Sequence, residues 1–135
     1  MGSGHSAFAA KLVVVIDDDP MVLEATGSLL RLWGYLAVTA VSDRGALAKL
    51  AKSGQAPHLI ICDYHLADGT TGIEAIERIR KIFQIPAIII TGDTAAERLR
   101  EAHACGYHVL HKPVSPRPLR AMLKRVLGDI AAPGP

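Results

Sequence analysis

No apolar run in the 135-residue sequence approaches the roughly 18 to 20 residues that a membrane-crossing helix needs; runs such as Pro86–Ile90 have the length of a strand. A charge excess is lacking too. With 15 Lys and Arg against 13 Asp and Glu, and the basic residues dispersed, neither nucleic acid nor a membrane surface is an expected partner. Cysteine is scarce. Cys62 and Cys105 form no CxxC pair and no disulfide framework; each lies in an apolar segment, where buried thiols of a reducing cytoplasm are expected. His58, His65, His103, His108 and His111 make no HExxH motif and no spaced Cys/His set. His108 and His111, three apart on an expected strand, face opposite ways, so a zinc centre is not expected. Internal repeats and low-complexity blocks are absent as well.

What is present is one domain's length of chain, half of it hydrophobic. Met1-Gly2-Ser3-Gly4-His5-Ser6 reads as an expression scar, and residues 1–10 are set aside from the fold. Residues 130–135, ending Ala131-Ala132-Pro133-Gly134-Pro135, have linker composition. The folded unit is therefore expected over residues 11–129.

Short apolar runs alternate with segments of helical period. The expected strands are Leu12–Ile16, Leu36–Val41, Leu59–Cys62, Ala87–Ile90 and Val109–His111. The first, third and fourth are apolar almost throughout, as suits strands covered on both faces of a parallel sheet. In the first helix Asp19 can cap with Pro20 at the first position, Met21, Leu23, Leu29, Leu30 and Leu32 supply the apolar positions, and Gly34 ends it. Ser42 can cap the second, with Ala46, Leu47 and Leu50 before Gly54. Thr71-Gly72-Ile73-Glu74 and Thr94-Ala95-Ala96-Glu97 are capping boxes for the third and fourth; Ile73, Ile76, Ile79 and Phe83 face inward in the third, and Gly106 ends the fourth. Ser115 caps the fifth, with Pro116 next and a stripe of Leu119, Met122, Leu123, Val126 and Leu127. Five such βα units predict an α/β fold with a doubly wound parallel sheet.

Ligands of such sheets bind outside the carboxyl ends of the strands. Just past the first strand stand Asp17, Asp18 and Asp19; past the third, Asp63; past the fourth, Thr91; past the fifth, Lys112. Carboxylates gathered in one pocket repel each other and coexist as ions most readily around a hard cation such as Mg²⁺. A Lys and a Thr beside them supply the other half of an electrostatic clamp for a phosphoryl group, and a carboxylate is a known covalent acceptor. Each residue alone has a plainer reading. Asp19, beside Pro20, reads first as a helix cap, and a Thr after a strand is more often a turn residue. Their order along four strand ends is what carries the signal.

Val13-Val14-Val15-Ile16-Asp17-Asp18-Asp19-Pro20, Ile61-Cys62-Asp63-Tyr64-His65-Leu66, Ile90-Thr91-Gly92 and His111-Lys112-Pro113-Val114 together resemble the receiver domain of bacterial response regulators. The resemblance spans Lys11 to Gly128 and implies a flavodoxin-like five-stranded sheet of order 2-1-3-4-5 with five helices. It makes Asp63 the phosphorylation site, and it gives Mg²⁺ to Asp18 directly, to Asp17 through water, to Asp63, and to the backbone carbonyl of His65. It assigns Thr91 as the switch hydroxyl, Lys112 as the cation pairing with the phosphoryl group, Gly92 as the small neighbour, and a cis Lys112-Pro113 bond. The implied partner is a histidine kinase or a histidine phosphotransfer protein, with a weak homodimer through the fourth helix, fifth strand and fifth helix.

The segment Leu110–Pro116 with Leu119-Arg120-Ala121-Met122-Leu123 further resembles receivers at the C-terminal end of hybrid sensor histidine kinases. Departures are few. Ala67 replaces the usual Pro in a loop one residue longer than common, and Val109 stands where many receivers carry an aromatic switch, with Tyr107 two residues earlier. Asp93 and His65 occupy positions that, in the family this sequence resembles, tune phosphoryl lifetime. Two rivals compete. A haloacid-dehalogenase-like phosphatase would use Asp17-x-Asp19, but Pro20 follows where Gly and then Thr or Ser should, and Asp63 is left unexplained. A receiver-fold binding module that works without phosphorylation usually lacks the Asp or the Lys, both of which this chain has.

Overall fold

The computed structural model describes residues 10–92 and 96–128. Residues 93–95, which include Asp93 and the Thr94 expected to cap the fourth helix, lie outside the described residues, as do the two terminal segments. Strands β1 (Leu12–Ile16), β2 (Leu36–Ala40), β3 (Leu59–Asp63), β4 (Ala87–Thr91) and β5 (His108–His111) alternate with helices α1 (Pro20–Leu32), α2 (Asp43–Ser53), α3 (Gly72–Arg80), α4 (Ala96–Ala104) and α5 (Pro116–Leu127). The sheet is parallel throughout, in the flavodoxin-like order β2-β1-β3-β4-β5.

The three central strands are buried at every residue and the two edge strands only in part, which is why only the former read as unbroken apolar runs. Alternate side chains feed two cores. On one face Val14, Ile16, Ile60 and Ile89 pack with Leu50 of α2, Ile76 of α3 and Ala102 of α4. On the other, Val13, Val15, Ile61 and Ile88 pack with Leu23 and Leu30 of α1 and Leu119 and Leu123 of α5. No helix among the described residues is long and apolar enough to cross a membrane.

The local signals mostly acted as expected. Asp19 accepts from the Met21 N–H at 2.9 Å, Ser42 accepts from the Gly45 N–H at 3.0 Å, and Gly54 closes α2 with φ of 71°. Thr71 and Glu74 form the reciprocal capping box.

Five details differ. Met21 and Leu32 are 79% and 77% exposed, because the inward arc of α1 runs through Leu23, Gly27 and Leu30. Ser115 occupies the cap position of α5 without a side-chain bond; Pro116 and Pro118 remove two of the first three helical N–H groups, including the third-position donor a serine cap uses. Cys105 is exposed, one residue beyond a helix that turns only Ala102 fully inward among its described side chains. Val41 lies past the end of β2 and is 51% exposed, while His108 joins β5 by pairing with Ile88. Asp63 and Thr91 are the last residues of their strands rather than the first beyond them, since Asp63 still pairs with Ile90 and Thr91 with His111.

Candidate functional site

The carboxyl edge of the sheet collects the four strand-end groups. Asp17, directly after β1, is 4% exposed, and its Oδ1 accepts from the Asp19 N–H at 2.9 Å. Asp63 is 5% exposed and Thr91 is buried beside it on the neighbouring strand. Lys112 follows β5. Its Nζ donates to Asp63 Oδ2 at 2.9 Å, while its backbone N–H donates to the Thr91 carbonyl, also at 2.9 Å. The Lys112–Pro113 bond is cis.

Asp17, the exposed Asp18 and Asp63 each offer a carboxylate oxygen, and these atoms lie within 4.8 Å of one another. Three carboxylates against one ammonium leave the pocket two formal negative charges. Asp17 registers its burial first and that imbalance less. Burial, with the charges of Asp63 and Asp18 added, pushes its carboxyl up from 3.8 to about 6, against the opposing effects of the Asp19 N–H and Lys112. Burial draws Lys112 down, but the hydrogen bond and charge of Asp63 outweigh it and hold the ammonium above its ordinary value. An all-oxygen donor set short of positive charge is what a hard divalent cation such as Mg²⁺ fits. Asp19 stands apart from this cluster, its carboxylate engaged as the cap of α1. The phosphatase alternative, which needs Asp17 and Asp19 to work together, is therefore not favoured.

His65 lies two residues past Asp63, its side chain exposed, in an isolated antiparallel bridge with Thr71. Gly92 adjoins the Lys112 stem, where an added Cβ would meet Cδ at an ordinary 3.7 Å. Tyr107 is taken up in the core, its hydroxyl donating to Glu77 and its ring lying 5.6 Å from the Arg80 guanidinium, so it is fixed against α3. Burial and Glu77 push its phenol up to about 12.

Three structural contacts around the site were missed by sequence reasoning. Gly72 donates its N–H to the Tyr64 carbonyl at 2.6 Å, and a Cβ there would drive into the Asp63 carbonyl oxygen. A Gly at the first position of a helix, where almost any other residue is a better helix former, was the available signal. Asp43, 5% exposed, pairs with Arg78 at 3.4 Å and joins α2 to α3. Tyr64 donates its hydroxyl to Glu101 of α4 at 3.2 Å. Neither pair leaves a local trace, because the partners lie 35 and 37 residues apart.

The family model of the response regulator receiver domain matches residues 13–124. Chemotaxis protein CheY4 of Vibrio cholerae is 31% identical, superposes with a TM-score of 0.76, and the match covers 87% of this chain and 99% of that one. The CheY-like receiver domain protein of Methanospirillum hungatei JF-1 is 27% identical with a TM-score of 0.78, over 93% of this chain and 100% of that one. Among curated proteins, the phyllosphere-induced regulator PhyR of Methylorubrum extorquens is 26% identical over 126 residues, 93% of this chain and 47% of PhyR. Fold, rim chemistry and these matches agree: the chain belongs to the response regulator receiver domain family and is a receiver domain of two-component signalling. It spans about half or less of the length of the curated relatives it matches.

Proposed function

We propose that Asp63 is the phosphoacceptor, that Lys112 and Thr91 bind the phosphoryl oxygens, and that Asp17, Asp18, Asp63 and the His65 carbonyl hold Mg²⁺. The observation that carries this is the contact of Lys112 Nζ with Asp63 at 2.9 Å, beside two further carboxylates within 4.8 Å. The donor is a phosphohistidine on a histidine kinase or phosphotransfer protein. An Asp63 oxygen attacks phosphorus in line, the phosphorus–nitrogen bond breaks, and its electron pair returns to the imidazole. Lys112 neutralises the transferring oxygens, and Mg²⁺, when bound, supplies the remaining positive charge. Thr91 then bonds the phosphoryl group and biases a two-state equilibrium of the surface formed by α4, β5 and α5, through which a weak homodimer can also form. Water attack on the acyl phosphate resets the site, so the domain assists its own phosphorylation and dephosphorylation without being an enzyme toward a second substrate.

Acetyl phosphate with Mg²⁺ should label the protein stoichiometrically, and Asp63→Asn should abolish the label. Persistent labelling of that variant would overturn the assignment. The resemblance of residues 110–123 supports a hybrid histidine kinase as parent, with residues 11–129 as its receiver unit, and two thiols outside any disulfide suit a cytoplasmic location. The full-length gene product decides the parent.

A further inference from the structure

Helix α4 is lightly seated. Among its described side chains only Ala102 is buried, with Leu99 half-buried. Both line a cavity of about 10 Å³, closed on its other sides by Tyr64, Thr91 and Val109 among others. Such a void holds at most one water, so the side chains around it lack part of the contact that close packing supplies. Thr91, the strand-end hydroxyl of the site, thus shares a wall with the apolar underside of α4.

Tyr64 spans that space. Its backbone cannot yield readily: its N–H donates to the Ile90 carbonyl at 2.8 Å, and its carbonyl accepts from Gly72 at 2.6 Å. Tyr64 is 7% exposed, and its hydroxyl reaches Glu101 on α4 at 3.2 Å. A side chain one peptide bond from Asp63 is therefore tied to the helix and lines a cavity together with Thr91. We propose that Tyr64, through its bond to Glu101, couples the state of the Asp63 site to the seating of α4, a role that rests on the reading of Asp63 as phosphoacceptor. Movement of Thr91 toward a phosphoryl group alters the cavity wall, and the Tyr64–Glu101 tie sets how far α4 follows. Val109, which contributes only a small aliphatic group to that wall, leaves the task to an aromatic arriving from β3.

The test compares four forms of the 135-residue chain: the parent, Tyr64→Phe, Glu101→Ala and the double variant. Amide exchange of residues 96–104 is followed with and without beryllofluoride and Mg²⁺, and Asp63 labelling by acetyl phosphate is measured separately. Each single variant should speed basal exchange in α4 about fivefold, the worth of one hydrogen bond. The double variant should do no more than either single one. Glu101→Ala improves helix propensity, so faster exchange there cannot arise from weakened helix formation. Labelling should stay within twofold, while the beryllofluoride-induced change in α4 exchange shrinks by about the same factor of five. Normal labelling with α4 exchanging and responding alike in all four proteins sinks the coupling alone. Failure of the parent itself to label sinks the phosphoacceptor reading, and the coupling with it.

Discussion

Substituting Asp17 by Asn measures how far the acidic rim works against the fold. The carboxyl of Asp17 titrates at about 6 in the folded chain against 3.8 ordinarily, chiefly through burial and then through Asp63 and Asp18. Between those values the folded chain holds a proton that the unfolded chain has released. The group therefore contributes its full share of stability below pH 3.8 and loses it as pH rises through about 6. At about 1.4 kcal/mol for each pH unit of that window, ionised Asp17 costs the metal-free fold on the order of 2–3 kcal/mol at neutral pH. Asparagine removes the charge yet keeps an oxygen for the Asp19 N–H. Urea unfolding in EDTA should show the variant level with the parent below pH 4 and more stable by roughly that amount above pH 6.5, titrations common to both cancelling in the difference. Adding Mg²⁺ should narrow the gap, since the parent gains by mass action what the variant cannot hold as well. A variant less stable than the parent at pH 7.5 in EDTA, or a difference flat with pH, would refute the reasoning.

Gly72→Ala should destabilise by about 1–3 kcal/mol in urea unfolding, against the stabilisation that helix propensity alone predicts, because the Cβ meets the Asp63 carbonyl. A more stable variant would contradict the close approach. Lys112→Ala leaves the buried Asp63 carboxylate without its ammonium and should cut acetyl phosphate labelling at least tenfold, with a stability loss on the order of 1–2 kcal/mol. Tyr107→Phe should cost about 1.5–3 kcal/mol through the lost bond to Glu77. In the parent, ultraviolet titration should find the Tyr107 phenol ionising near 12, so stability present at pH 9 declines as pH climbs through that value; ionisation near 10 in the folded protein would overturn this.

The alternation of strands and helices and the site were legible because both follow from local facts, whereas the strand order came only with the family resemblance. An unbroken apolar run marks a strand buried on two faces, and in a doubly wound sheet the residue at its carboxyl end must lie on the ligand rim. Asp17, Asp63, Thr91 and Lys112 could thus be collected without any knowledge of distance. What stayed hidden depends on tertiary approach. Nothing near Met21 or Leu32 says that the sheet meets α1 along Leu23 and Leu30 instead. Ser115 matched a cap pattern whose donor Pro118 had removed, a conflict the sequence did display. Tyr64 reads as the residue after an acid until α4 folds over it.

The hydrogen bond from the Lys112 N–H to the Thr91 carbonyl makes two of the rim groups parts of one lever. The peptide carrying the ammonium is pinned to the peptide carrying the hydroxyl, so neither main chain can advance on Asp63 without dragging the other. Adjustment there is left to torsions about side-chain bonds. The methyl resonance of Thr91 should thus record occupancy of Asp63 as a change of rotamer, while the amide of Lys112 keeps its protection from exchange.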